Sequence, residues 1–160
     1  MQLAVQFEEM RLEGVRVALV AAPYYRKIVD ALLEGARAVL ERAGAQHESV
    51  FVPGALEIPL AIATLAQAPT GGNPRFDGYV GLGCVIRGET SHYDTVSHLS
   101  AHGLMQLGLS GQFAVSNGIL TVENAHQAMV RAEPSFQNKG GEAAKACLAL
   151  IALRRSLTLP

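Results

Sequence analysis

The spacing of apolar positions changes period several times along the chain. Val15 to Ala21, VRVALVA, is an apolar run rich in β-branched residues, interrupted only by Arg16. It is too short for a helix and fits a strand covered on both faces. From Tyr25 to Ala43, the residues Ile28, Val29, Leu32, Leu33, Ala36 and Leu40 recur at three- and four-residue steps, and Gly44 ends the pattern. That spacing predicts a helix with one side on a sheet. Ser49 to Val52 predicts a second strand, Val52-Pro53-Gly54-Ala55 a turn, and Leu56 to Ala68 a helix. Pro59 falls in its first turns, where a missing N–H does little harm. Pro69 to Asp77, PTGGNPRFD, reads as a surface loop. Tyr79 to Val85 is a third apolar strand, Asp94 to Leu109 a helix, Phe113 to Thr121 a fourth strand, and Asn124 to Ala132 and Gly141 to Leu157 two further helices.

Strands that alternate with helices form parallel sheets with right-handed crossovers and helices on both faces. The predicted fold is a three-layer α/β/α domain with a four-stranded parallel sheet, of the flavodoxin-like kind. No repeat or linker divides the 160 residues, so a single domain over 1–160 is expected, with residues 1–13 as an N-terminal arm.

Composition narrows the function. Apolar residues make up 49% and charged residues 17%, which argues against disorder and fits either an ordinary alanine-rich globule or a surface partly covered by partner chains. Net charge is -1 with no run of Lys or Arg to track a phosphate backbone, so nucleic acid is not an expected partner. Arg154 and Arg155 suit the last turn of a helix. The opening MQLAVQFEEMRLEG lacks the basic and apolar blocks of a signal peptide, and no apolar run approaches the ~20 residues that span a bilayer. A cytoplasmic protein without membrane contact is expected. Cys84 and Cys147 lack metal-type spacing and read as small core residues.

In sheets of this kind, ligands bind outside the carboxyl ends of the strands, where helix N-termini expose N–H groups. The polar motifs gather there: Tyr24 and Tyr25 after strand one, Pro53 to Glu57 after strand two, Arg87 to His92 after strand three, and Asn117 to Glu123 near the end of strand four. Gly88-Glu89-Thr90-Ser91 can present amides and hydroxyls to a phosphate, although Thr90 or Ser91 also suits a helix cap. His92 beside it is suited to exchange protons with a substrate. Tyr24 and Tyr25 can offer an aromatic face to a flat heterocycle. His98 and His102 lie four apart, but no His-Glu-x-x-His accompanies them, so a zinc site is not expected. Gly-x-Gly-x-x-Gly and Walker-type signatures are absent from the sequence. The residues alone lead to a cofactor-independent enzyme, or a carrier, for a phosphorylated or flat polar molecule.

Four stretches carry a more specific resemblance: VPGALEIP at Val52 to Pro59, GCVIRGETSHYD at Gly83 to Asp94, NGILTVEN at Asn117 to Asn124, and NKGGEAA at Asn138 to Ala144. In that order and spacing, over Val15 to Leu157, the chain resembles the lumazine synthase family of riboflavin biosynthesis. The resemblance implies condensation of 5-amino-6-(ribitylamino)uracil with 3,4-dihydroxy-2-butanone 4-phosphate, with loss of water and inorganic phosphate and with no metal or organic cofactor. It implies that Tyr24 is the platform for the pyrimidine ring. Ala55, Leu56 and Glu57 match the segment that holds the ribityl chain, and Val85 and Ile86 match the residues lining the heterocycle. Glu89 and Thr90 match positions that receive the butanone phosphate, and His92 matches the proton-transfer residue. Arg131 matches the arginine that binds that phosphate across a subunit boundary. Asn117 matches a neighbouring-subunit position that is aromatic in some members, and Lys139 the lysine of the Asn-Lys-Gly motif near the same interface. The family forms pentamers, some assembled into icosahedral capsids, so a homo-oligomer with shared sites is implied.

Overall fold

The computed structural model describes residues 10–68, 75–111 and 113–158. Most of the expected N-terminal arm and residues 69–74 of the expected Pro69–Asp77 loop lie outside these. The elements run β1 (Arg16–Ala21), α1 (Arg26–Arg42), β2 (Gln46–Phe51), α2 (Glu57–Gln67), β3 (Gly78–Ile86), α3 (His92–Ser110), β4 (Ala114–Val122), α4 (Ala125–Ala132) and α5 (Lys139–Ser156). All pairings are parallel and the strand order is β2-β1-β3-β4. This is the expected flavodoxin-like three-layer fold.

Side-chain alternation along β1 builds the layers. Val17, Leu19 and Ala21 join the core under α1, α4 and α5, while Ala18, Val20 and Ala22 join Ile58 and Ile62 of α2 and Val96 and Leu104 of α3. From Val17 to Ala21 each face of the strand is thus covered, as this apolar run requires, and Arg16 at its start stays exposed. Ile58 rides directly over β3, where a Cβ on Gly81 would lie 3.0 Å from its Cγ2. On the other face, a Cβ on Gly140 would run into the carbonyl oxygen of Leu32, so the first turn of α5 rests on the backbone of α1. Asn138 precedes it in a left-handed conformation, φ 48°, and accepts a hydrogen bond from the Gly141 N–H at 3.2 Å. That cap starts α5 at Lys139, two residues before the Gly141 expected from periodicity.

Two other starts differ from the sequence expectation by more than one residue. β2 begins at Gln46 rather than Ser49, because its partner β1 pairs Arg16 with Gln46 and carries the ladder through polar residues. β2 is an edge strand, and Glu48 on it bridges Arg16 at 2.9 Å and Arg75 at 3.1 Å. Both guanidinium groups lie over the Phe76 ring, at 5.7 and 5.3 Å from its centroid. α3 starts at His92 rather than Asp94, so the loop after β3 is only Arg87 to Ser91.

Candidate active site

Turns at the carboxyl ends of β1, β2 and β3 enclose a cleft of about 480 Å3. Tyr24 and Tyr25 stand on the β1–α1 turn, with ring centroids 5.0 Å apart in an edge-on pair. Tyr24 is 77% exposed, leaving a ring surface free for a flat ligand. Tyr25 is partly buried, and burial raises its phenol pKa, with Tyr24 adding to the shift. The phenol therefore remains a neutral donor in the wall of the cleft.

The β2–α2 turn supplies Pro53, Gly54, Ala55, Leu56 and Glu57 to the cleft. Glu57 opens α2, where a carboxylate suits the positive end of the helix. Val85 and Ile86 end β3 and line the floor, with Cys84 beside them. Burial pushes the Cys84 thiol up to about 11, so the neutral form dominates and a thiolate nucleophile is disfavoured. Cys84 is a core residue, as expected, but one side of it faces the cleft.

Thr90, His92, Tyr93 and Val96 complete the lining from the β3–α3 loop and the first turns of α3. The His92 N–H donates to Thr90 Oγ1 at 3.3 Å, and Ser91 at the N-cap makes no side-chain cap bond. The helix-capping reading thus holds for Thr90, which takes the first N–H of α3, and not for Ser91, whose carbonyl accepts from the Asp94 N–H at 3.0 Å while its side chain caps nothing. Glu89 lies exposed on the same loop but is not part of the lining. Tyr93 and Val96 were not picked out from sequence. Val96 lies four residues beyond His92, so one helical face carries both.

Asn117, Arg131 and Lys139 are elsewhere. Asn117 pairs with Gly81 in the middle of β4, not near its carboxyl end. Its Oδ1 accepts from the Ile119 N–H at 2.9 Å. It borders two open grooves, of about 810 and 530 Å3, between β4, α3 and α5. Arg131 lies in the last turn of α4 and donates from Nη1 to the Gln127 carbonyl at 3.0 Å. Lys139 is exposed at the start of α5. Among the described residues, no three His, Cys, Asp or Glu side chains converge as metal ligands, and no helix is long and apolar enough to cross a membrane.

The sequence profile of the 6,7-dimethyl-8-ribityllumazine synthase family matches residues 14–155. The chain belongs to that family. It is 52% identical over 148 residues to the 6,7-dimethyl-8-ribityllumazine synthase of Methylorubrum populi, covering 92% of this chain and 88% of the relative. The Sphingopyxis alaskensis synthase is 53% identical over 138 residues, covering 86% and 94%. A protein of Rhizobium meliloti named 6,7-dimethyl-8-ribityllumazine synthase 1 is 47% identical over 147 residues, covering 92% and 96%. For a lumazine synthase, the cleft assembles Tyr24, Ala55, Leu56, Glu57, Val85, Ile86, Thr90 and His92 on one side of the molecule and leaves Asn117, Arg131 and Lys139 outside it.

Proposed function

We infer that this chain catalyses the family reaction: it joins 5-amino-6-(ribitylamino)uracil to 3,4-dihydroxy-2-butanone 4-phosphate, forming 6,7-dimethyl-8-ribityllumazine with release of water and inorganic phosphate. The observation that carries this is the single cleft uniting an exposed aromatic ring, a helix-end carboxylate, an apolar floor and a helix start that carries a histidine. Tyr24 stacks on the pyrimidine, Glu57 accepts from the ribityl hydroxyls, and main-chain groups at Val85 and Ile86 read the edge of the ring. Amides of Gly88 to Thr90 receive the phosphate, with the Glu89 side chain turned outward from that anion. His92 moves protons as the amine adds to the ketone, as the phosphate leaves and as the ring closes. An amine and a ketone already condense slowly, so most of the acceleration comes from holding them face to face.

Such a cleft is half of a site. Arg131 and Lys139 come from a neighbouring copy, as does Asn117, in a cytoplasmic homo-oligomer of the pentameric kind. The surface supports this reading. Leu99, Met105 and Leu109 on α3 and Leu150 and Leu153 on α5 are exposed around the two grooves that border β4. Ser97 Oγ, in the wall of one groove, is buried without a partner. A second copy would cover these apolar side chains. An Arg fork from that copy keeps its charge and planar donors as the phosphate departs.

Mixing the purified protein with both substrates and following lumazine absorbance tests the reaction. Binding of the pyrimidine without product favours a riboflavin-type carrier and rejects the enzyme. Sharing of sites is tested by co-assembling Tyr24→Ala and Arg131→Ala chains, each nearly inactive by itself. In a heterologous ring of equal parts, about a quarter of the sites pair an intact cleft with an intact Arg131. Activity that stays at the level of the separate variants rejects a shared site.

A further inference from the structure

The loop that carries Gly88 to Ser91 is exposed along its whole length, and a Cβ placed on Gly88 would meet nothing within 4 Å. Packing therefore does not hold it. Arg87, the first residue after β3, reaches across to the start of α3 and to the neighbouring strand. Its N–H donates to the Val122 carbonyl at 3.0 Å, continuing the β3–β4 ladder by one bond. Its Nε approaches both Glu123 oxygens, at 3.1 and 3.2 Å. Its Nη1 reaches Asp94 at 3.5 Å, and its guanidinium plane sits 4.1 Å from the centre of the Tyr93 ring. Tyr93 and Asp94 follow His92 in the first turn of α3, so one side chain ties the two ends of the loop together and anchors both to the end of β4. Tyr93 is itself part of the cleft lining.

We propose that Arg87 is a positioning residue for the condensation: paired with Glu123 and stacked on Tyr93, it fixes the loop amides and His92 in reacting geometry without touching substrate. The proposal rests on the function inferred above. Only an arginine suits the position, because a planar fork can meet a carboxylate and lie on an aromatic ring at once, whereas an ammonium is a point charge. Exposed ion pairs add little to folding free energy. The contribution is to geometry, where a displacement of about 1 Å can cost up to a hundredfold in rate. The anchor also continues toward the residue that serves the adjacent site: the Glu123 N–H donates to Gln127 Oε1 at 2.8 Å, and the Gln127 carbonyl accepts from Arg131. That link uses the backbone of Glu123, so Glu123→Gln leaves it in place while weakening the pair with Arg87.

Full-length, assembled Arg87→Gln, Arg87→Lys, Glu123→Gln and the double variant Arg87→Gln/Glu123→Gln test this. Steady-state kinetics with each substrate varied, thermal midpoints and amide hydrogen exchange over residues 88–94 are measured together. Arg87→Gln should lower kcat about ten- to a hundredfold and raise KM for the butanone phosphate. KM for the pyrimidine and the thermal midpoint should stay unchanged, and exchange over 88–94 should rise while β3 is spared. Arg87→Lys should resemble Arg87→Gln, and the double variant should be no worse than Arg87→Gln alone. Wild-type kinetics and exchange in Arg87→Gln overturn the proposal, as do equal rises in both KM values with a lowered midpoint, or additive losses in the double variant. If the parent forms no lumazine, the inferred function falls instead, and hydrogen exchange still decides whether Arg87 holds the loop.

Discussion

Gly140→Ala gives the most direct measure of how closely α5 sits on α1. An added Cβ would strike the Leu32 carbonyl oxygen and lie 2.7 Å from the carbonyl carbon and 2.8 Å from the Cα. These are main-chain atoms in a helix and cannot rotate aside, so α5 must lift away. Overpacking of this type costs about 1–3 kcal/mol, and the rigidity of the obstacle places Gly140 near the upper end. Replacing glycine by alanine inside a helix returns at most about 1 kcal/mol. The net loss is about 2 kcal/mol, and for a chain of this size each kcal/mol lowers the midpoint by about 2–4 °C. Calorimetry or circular dichroism at fixed protein concentration should therefore show Gly140→Ala melting about 4–8 °C below the parent. Gly88→Ala, where the added methyl meets nothing, serves as the control and should melt with the parent. A Gly140→Ala midpoint at or above the parent would refute the close contact and the account of why two glycines stand together in NKGGEAA.

The remaining predictions concern the site and its supports. His92→Ala should retain measurable turnover, because orientation supplies most of the rate, whereas Arg131→Ala should lose butanone-phosphate affinity more severely; kinetics ranked the other way reject these roles. Asn124 caps α4 by accepting from the Gln127 N–H at 2.9 Å, so Asn124→Ala should cost about 1 kcal/mol, readable in urea titration. Burial pushes Cys84 up to about 11 and Cys147 up to about 12, above the ordinary 9.0, so neither thiol should be alkylated at pH 8 until the chain is denatured. Since the folded state disfavours both thiolates, their stabilising effect is complete below pH 9 and should disappear as pH rises from 9 through 11 and 12; urea midpoints flat across that range refute it.

Where burial on both faces or along one stripe leaves a periodic trace, the fold was legible. The VRVALVA run and the α1 pattern located β1 and α1 to within a residue or so. The start of β2 was not legible, because Gln46, His47 and Glu48 are polar residues on an edge strand whose register comes from β1. The start of α5 was hidden for another reason: its cap depends on a left-handed Asn138, which carries no hydrophobic signal. For the site, motifs that follow β1, β2 and β3 fell into one cleft because a parallel sheet points all its carboxyl ends the same way. Asn117 was misplaced by that rule, since it belongs to the middle of its strand. The Arg87–Glu123 pair could have been found by aligning β3 with β4, because pairing Ile86 with Val122 sets the next two residues side by side.

The two margins of the sheet differ in what they permit. At β2, the charge lattice of Glu48, Arg16 and Arg75 repels another strand seeking the free ladder. Beyond β4, open hollows lined with leucine and methionine invite contact. One margin is thus closed to further strand pairing, while the other presents apolar surface that burial would stabilise.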